Sequence, residues 1–260
     1  MRASNGDVYD GTFAKGRKHG HGVFEEALTG HDYDGEWHLG QRSGNGTFTS
    51  GDSAFTYAGA WRNGKRNGQG TATLRHKCSY DGFWKDGVFD GYGCLVDRAK
   101  NRYEGEFKDG VKHGVGEQTY YADGATYKGE WRFGARHGVG HMVAEAYTYA
   151  GSWQHGKPQG EGTLHRNGKT HAGLFEDGVP HGWGVLSTDD GDEREGRFHR
   201  GAPVEGDDSW KITYASGRQY VGTTRDGLPH GQGVSKWPTG ETYAGSWVDG
   251  KRAGSRVGKG

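Results

Sequence analysis

Aromatic residues and glycines alternate with polar residues along this chain, in a unit that recurs throughout its length. The unit reads Tyr-x-Gly-x-Trp/Phe-x-x-Gly-x-x-x-Gly-x-Gly, as at Tyr57, Gly59, Trp61, Gly64, Gly68 and Gly70. Alternate residues of a β-strand face the same side, so the opening Tyr, Gly and Trp are expected to share one face. The pattern therefore predicts a strand with one aromatic face.

About eleven repeats are present. Most open 22 to 24 residues after the one before, and a 26-residue step separates the ninth from the tenth. Nineteen of the 33 aromatic residues stand at the opening position or four residues later, which chance composition does not explain. The repeats open at Tyr9, Tyr33, Tyr57, Tyr80, Tyr103, Tyr127, Tyr149, His171, Arg194, Tyr220 and Tyr243.

A tight turn and a second strand complete each unit. Asp-Gly and Asn-Gly pairs supply the positive φ that a two-residue hairpin turn needs. Such pairs occur at Asn63-Gly64, Asp86-Gly87, Asp109-Gly110, Asp177-Gly178, Asp226-Gly227 and Asp249-Gly250. The inward position of the return strand is occupied by Phe24, Phe48, Ala72, Leu95, Gln118, Met142, Leu164 and Leu186.

These elements predict an all-β fold, an elongated, solenoid-like and twisted antiparallel sheet of tandem β-hairpins. We expect one array over residues 1–260. Two strands per repeat, each about 4.8 Å apart, give eleven repeats a length on the order of 100 Å.

Composition excludes several classes of protein. Only 31% of residues are hydrophobic, but 9 Trp, 14 Tyr and 10 Phe argue against disorder. A formal net charge of zero gives no bulk attraction to nucleic acid. Neither a membrane-length apolar run nor a signal peptide is visible, and two cysteines are too few for a disulfide framework. We expect a cytoplasmic protein whose Cys78 and Cys94 stay reduced, although they flank one hairpin and could approach each other.

The repeated motif resembles the MORN (membrane occupation and recognition nexus) family over essentially the whole chain. Relatives of this kind include radial-spoke-head proteins, junctophilins, myosin-binding adaptors and protozoan cytoskeletal scaffolds, so the resemblance implies scaffolding, partner binding or membrane apposition. Because the repeats fill the chain, we expect no appended catalytic domain. This argues against the lipid-kinase and methyltransferase relatives.

Two repeats depart from the motif. The ninth is degenerate, with Arg194 for Tyr, Glu205 for Gly, and an insertion that contains Asp207, Asp208 and Trp210. The eleventh is incomplete after Gly254. Interruptions in a repeat often map to binding surface, so these five residues of repeat nine are candidate protein-binding residues. Tolerated drift in a single repeat is the alternative.

No constellation of catalytic or cofactor-binding residues is visible. Histidines recur before the third glycine, as at His19, His113 and His230, but they lie a repeat or more apart, too far to share one metal ion. We interpret them as repeat-consensus residues that hydrogen-bond a neighbouring turn. The glycine pairs lack phosphate-loop spacing. We expect no enzyme, no cofactor, no metal and no small-molecule substrate.

Charge is distributed unevenly in the repeat. Acidic residues share the face opposite the aromatics, namely Asp10, Asp34, Glu36, Asp81, Glu104, Glu106, Glu130 and Glu195. Basic residues collect at the hairpin turns, namely Arg17, Lys18, Arg42, Lys65, Arg66, Lys112 and Arg136, and form a candidate edge for acidic partners or lipid. Ordinary solubilising charge is the alternative. One turn position is basic in most of the first six repeats, where Phe89 is the exception, and becomes Pro158, Pro180, Pro203 and Pro229 in repeats seven to ten.

Together these features predict a structural protein, a rigid spacer or docking rail in a cytoskeletal assembly, with a cilium or flagellum as the favoured setting by family analogy. Its expected partners are cytoskeletal or ciliary proteins, and a second molecule could join through the open sheet ends. The contact is expected in the C-terminal third, from Arg194 to Gly254. The alternative is a peripheral membrane tether through the basic edge, with weak binding to anionic lipid.

Small-angle X-ray scattering tests the predicted length. We expect a rod on the order of 100 Å long, because stacked hairpins add their rise in one direction. A radius of gyration near the compact-globule value of about 18 Å would contradict the linear array.

Overall fold

The computed structural model describes residues 1–74, 78–206 and 210–254. The chain divides into two compact units, Met1–Ala135 and Arg136–Gly260, and each is described by itself. Within the described residues every regular element is a β-strand and neighbouring strands are antiparallel, which confirms the all-β hairpin architecture.

Unit 1 contains eleven strands in consecutive hairpins, and each strand from β2 to β10 pairs with the one before it and the one after it. They are β1 (Val8–Ala14), β2 (Arg17–Glu25), β3 (Asp32–His38), β4 (Gln41–Thr49), β5 (Thr56–Arg62), β6 (Lys65–Leu74), β7 (Cys78–Lys85), β8 (Val88–Val96), β9 (Arg102–Lys108), β10 (Val111–Thr119) and β11 (Thr126–Arg132).

Unit 2 continues the pattern with a β12 strand that begins on the last residue of unit 1. In the degenerate ninth repeat, β17 pairs with two short strands, β18 and β19. The strands are β12 (Ala135–Ala144), β13 (Tyr147–Gln154), β14 (Lys157–Arg166), β15 (Lys169–Glu176), β16 (Val179–Thr188), β17 (Glu193–His199), β18 (Ala202–Pro203), β19 (Trp210–Thr213), β20 (Gln219–Arg225), β21 (Leu228–Lys236), β22 (Thr242–Val248) and β23 (Lys251–Arg252).

Each repeat turns through two residues that both have positive φ, as at Asn63 (50°) and Gly64 (78°). This is the geometry predicted for the Asp-Gly and Asn-Gly pairs, and all six adopt it. Five further turns have the same geometry although the residue before glycine is not one that favours it. These residues are Lys15, Leu39, Phe133, His155 and Arg200.

An aromatic ladder forms one face of each unit. The Tyr57 ring lies 5.2 Å from the Trp61 ring of its own repeat and 5.1 Å from the Trp84 ring of the next, edge to face in both cases. Such pairs contribute about 0.5–1.5 kcal/mol each beyond the area they bury. The ladder runs from Tyr9 to Trp131 in unit 1.

Paired glycines make room for the rings. Gly59 and Gly70 face each other across two strands, and a Cβ on either would overlap the Tyr57 ring. The ring thus lies flat on bare backbone, where its hydroxyl donates to the Ala60 carbonyl at 2.8 Å. The Trp84 Nε1 donates to the Gly70 carbonyl of the preceding repeat at 2.9 Å. Hydrogen bonds and ring contacts therefore join each repeat to the next.

Burial in the ladder changes the acidity of its tyrosines. Desolvation raises the pKa of Tyr57 and of Tyr149 to about 12, because the charged phenolate would lose water among the rings. These hydroxyls therefore stay protonated and keep their carbonyl partners at neutral pH.

The two cysteines do not meet. Cys94 pairs with Asp81, whereas Cys78 lies three positions earlier on the Asp81 strand and faces the other side of the sheet. Both thiols are free. The expectation that the hairpin could bring them together is therefore wrong, because an odd offset along a strand reverses the face.

Phe133 offers a test of the turn geometry. This side chain is 76% exposed and its φ is 51°, a conformation that costs a bulky residue more than it costs Asn. We expect Phe133→Asn to raise the free energy of unfolding by about 1 kcal/mol in urea titration. The reverse change at an equivalent turn, Asn63→Phe, should lower it, and no difference between the two variants would contradict the assigned turn.

Candidate partner-binding site

The basic residues of the hairpins lie across the aromatic ladder. Arg42 pairs with Trp37 across the hairpin, and its guanidinium carbon lies 5.1 Å from the ring centres of both Tyr33 and Trp61. Arg66 lies 4.5 Å from the Trp84 ring and donates to the Gly87 carbonyl at 2.7 Å. Each cation therefore binds rings of its own repeat and of the next.

Lys18, Lys112 and Arg136 repeat this contact, at 4.6 Å from Trp37, 4.9 Å from Trp131 and 4.4 Å from Trp153. We call Lys18, Arg42, Arg66, Lys112 and Arg136 the cation clamps. Desolvation lowers the pKa of Lys18 to about 8 and lowers those of Arg42, Arg66 and Lys112. Five of the seven residues in the candidate lipid edge are therefore half-buried on the ladder, whereas Arg17 and Lys65 are exposed.

Prolines occupy the clamp position in repeats seven to ten. Pro158 pairs with Trp153, Pro180 with Phe175, Pro203 with Phe198 and Pro229 with Thr224. The position is the second residue of the return strand, one residue past the turn in which the sequence pattern placed it. These four repeats therefore have an uncharged residue where most of the earlier repeats have a cation.

Repeat nine departs from the motif at two core positions, that of the tyrosine and that of the last glycine. Arg194 stands at the tyrosine position, and Trp210 stands where the other repeats have their last glycine. The Trp210 ring lies over Gly196, where the missing tyrosine would lie, and its Nε1 donates to the Val204 carbonyl at 2.7 Å. Trp210 is 2% exposed. The expectation that Trp210 itself contacts a partner is therefore wrong, because this ring fills the core.

A groove of about 630 Å³ opens in unit 2 where the ladder changes composition, and we call it the ladder-break groove. His171 takes the tyrosine position of repeat eight with a smaller ring, and Arg194 takes that of repeat nine. Leu164, Pro180, Leu186 and Phe198 form its apolar walls. Besides Arg194, the charged residues of the lining are Arg166, Lys169, Glu205 and Asp226.

Within the part of the chain that the structure describes, three buried side-chain atoms at this groove have no hydrogen-bond partner of standard geometry. They are both ring nitrogens of His171, which is 4% exposed, and the Nε of Arg194. Burial lowers the pKa of His171, so the ring is neutral near pH 7. Unpaired buried donors and acceptors are costly, so these atoms lower the stability of the fold at this point.

The structure brings together two of the candidate residues of repeat nine. Glu205 accepts hydrogen bonds from the Gly227 amide and the Thr224 hydroxyl, both at 3.3 Å. The Arg194 guanidinium reaches the same turn, where a Cβ on Gly227 would touch it. Asp207 and Asp208 lie outside the described residues. Arg166, Lys169 and His171 were not predicted as site residues, although the histidine in the tyrosine column was a signal.

The recurring histidine position contacts the turn of the following repeat. The Asp249 amide donates to His230 Nδ1 at 3.4 Å, and the Asp177 amide donates to Gln159 at the equivalent position at 3.1 Å. These bonds support the interpretation as a repeat-consensus residue. In the described part of the chain, no three His, Cys, Asp or Glu side chains converge on a metal position. The same residues include no helix of a length and apolarity able to cross a membrane.

Consecutive hairpins, with an aromatic ladder on one face of each unit, define a β-hairpin repeat protein. The MORN repeat family matches residues 9–25, 33–54, 57–75, 80–101, 103–124, 127–144, 149–170, 171–193, 220–242 and 243–255. The chain belongs to the MORN repeat family. The ninth repeat, from Arg194, is not matched, in agreement with the departure of its core residues from the motif.

The solved structures that align with this chain include two domains in complex with partner peptides. The TCP10 domain of Danio rerio CPAP, in complex with a STIL peptide, has 11% identity and a TM-score of 0.42, covering 93% of this chain and 99% of that one. The TCP domain of Drosophila melanogaster SAS-4, in complex with a proline-rich motif of Ana2, has 12% identity and a TM-score of 0.29, covering 69% and 85%. No curated protein sequence matches the chain.

His171 tests whether the groove comes from a tyrosine replaced by a smaller ring. We expect His171→Tyr to raise the free energy of unfolding by about 1–2 kcal/mol, because the larger ring fills the position and removes unpaired nitrogens. Chemical denaturation measures the change. The matched variant Tyr149→His, one repeat earlier, should destabilise the protein, and equal stability of both variants would contradict the ring-size explanation.

Proposed function

We propose that this protein is a non-enzymatic scaffold, a rigid spacer or docking rail in a cytoskeletal assembly, which holds a protein partner in the ladder-break groove. Membership of the MORN repeat family supports the scaffold. The observation that carries the docking site is the groove itself, where apolar walls lie beside buried His171 and Arg194 atoms that have no hydrogen-bond partner of standard geometry among the described residues.

The chemistry of the groove favours a protein segment as its occupant. Leu164, Leu186 and Phe198 can bury an apolar side chain, and such anchored contacts dominate binding energy in protein interfaces. Arg166, Lys169 and Arg194 can pair with an acidic group beside it. The groove includes Arg194 and Glu205 of the contact expected in the C-terminal third, but it begins in repeats seven and eight, so the proposed site has other bounds than that expectation. The ciliary or flagellar setting is a narrower proposal that rests on family analogy alone.

The experiment compares the partners of the full-length wild-type protein and of two full-length variants by affinity purification and mass spectrometry. Arg166→Glu with Lys169→Glu reverses two exposed charges at the groove. Arg17→Glu with Lys65→Glu makes the same charge change on exposed turns of unit 1 and is the matched control. We expect cytoskeletal partners that the groove variant loses and the control retains.

Identical partner sets for all three forms would contradict the groove as a docking site. Groove-dependent partners without a cytoskeletal protein would contradict the assembly. The membrane-tether alternative predicts instead that anionic vesicles bind the wild type and that Arg17→Glu with Lys65→Glu abolishes this binding. Because the cation clamps are engaged with the ladder, we expect at most weak, salt-sensitive binding.

A further inference from the structure

The face opposite the aromatic ladder, the outward face, differs between the two units. In unit 1 its central row contains five carboxylates and one lysine among uncharged residues, in the order Asp10, Val23, Asp34, Thr47, Ala58, Thr71, Asp81, Cys94, Glu104, Glu117 and Lys128. Strand register places the corresponding row of unit 2 across neighbouring strands in the order Ala172, Val185, Glu195, Lys211, Val221 and Val234. The acidic face predicted from the sequence is thus a property of unit 1, and unit 2 is mainly uncharged there.

This row of unit 2 exposes apolar side chains to solvent. Val221 and Val234 are each 49% exposed. Beside the row, on strands β15 and β16, Leu174 is 42% exposed and Trp183 is 50% exposed. A tryptophan and a leucine side by side on an otherwise polar sheet face are typical of interaction surfaces.

The order of residues in the row is self-complementary. Glu195 and Lys211 lie next to each other at its centre, with their charged groups 3.6 Å apart, and apolar residues follow on both sides. Consider a two-fold axis that is parallel to the strands and lies just outside the outward face, midway between β17 and β19. Rotation about this axis places the row of a second molecule against the first row in reverse order. Glu195 then meets Lys211 of the other molecule, Val185 meets Val221, and Ala172 meets Val234.

From this pattern we infer that two molecules associate face to face through the outward faces of their second units. The contact is isologous, so each Glu195–Lys211 pair is made twice. Trp183 lies beside the row and packs against the second sheet. The opposite-charge pair in the unit 1 row, Glu117 and Lys128, lies on the last two strands of that unit and lacks apolar neighbours on both sides, so we assign the contact to unit 2.

The available surface is sufficient for a specific but modest dimer. Six strands at about 4.8 Å spacing and strands of about seven residues give a patch of roughly 25 by 20 Å. Two such patches bury roughly 1,000 Å², the lower limit of specific interfaces. This dimer is independent of the ladder-break groove, which lies on the other face, so the proposed function and this association can fail separately.

Charge reversal tests the pairing between molecules. Light scattering coupled to size exclusion should show the full-length protein at twice the 28.3 kDa monomer mass at micromolar concentration. Glu195→Lys alone and Lys211→Glu alone should each be monomeric, because each homodimer then opposes like charges. An equimolar mixture of the two variants should return to the dimer mass, since both positions are then basic in one molecule and acidic in the other.

The mixture separates contact between molecules from the ion pair within one molecule, which stays broken in both variants. Exposed ion pairs contribute little to stability, so circular dichroism should show both variants folded. Glu117→Lys is the matched control, because Glu117 forms a similar cross-strand pair with Lys128 at 3.9 Å on the outward face of unit 1. We expect this variant to stay dimeric.

Three outcomes would overturn the dimer. They are a wild-type protein that stays monomeric, single variants that dimerise as well as the wild type, and a mixture that remains monomeric. Trp183→Ser provides a second measurement, since it leaves the charges intact and should weaken the dimer at least tenfold. An unchanged dissociation constant in that variant would also contradict the assigned face.

Discussion

Most repeats depend on a tyrosine ring that lies on a pair of facing glycines and meets one or two tryptophan or phenylalanine rings edge to face. A single sheet has no second layer to bury an apolar face, so the rings themselves form the core. Tyr57 shows the arrangement, with Gly59 and Gly70 beneath it and Trp61 and Trp84 at its sides. Any side chain on these glycines would displace the ring. The large glycine content therefore follows from the way the core is built.

The open side of the ladder must also be covered, and the two units do this differently. Unit 1 uses Lys18, Arg42, Arg66 and Lys112, whose cations lie over the rings. Unit 2 mostly uses prolines at the same register position. A cation that packs on a ring of the ladder is less available to bind an anionic lipid. The difference between the halves that is visible in the sequence thus concerns packing first, and surface charge second.

Repeat nine shows how the core tolerates a lost tyrosine. Trp210 enters from the return strand and fills the space above Gly196, so the sheet continues through β19 and β20. A groove remains beside this repeat, lined by His171 and Arg194, whose buried ring nitrogens and Nε have no hydrogen-bond partner among the described residues. Departure from the repeat therefore produces a groove on the ladder face, while the outward face of the same unit carries a mainly apolar row.

The sequence by itself determined the hairpins, their number, the aromatic face and the family, because strand alternation and turn chemistry are local properties that repeat. It also located the irregular repeat through Arg194 and Glu205. Only the tertiary structure decided which of the irregular residues are accessible, since Trp210 looked like an insertion and is core. The contacts of the basic side chains likewise could not be predicted from one repeat, because Arg42 contacts Trp61 of the next repeat. Long side chains contact residues of the next repeat. Which residues they contact depends on the strand register and on the space that the neighbouring ring leaves free.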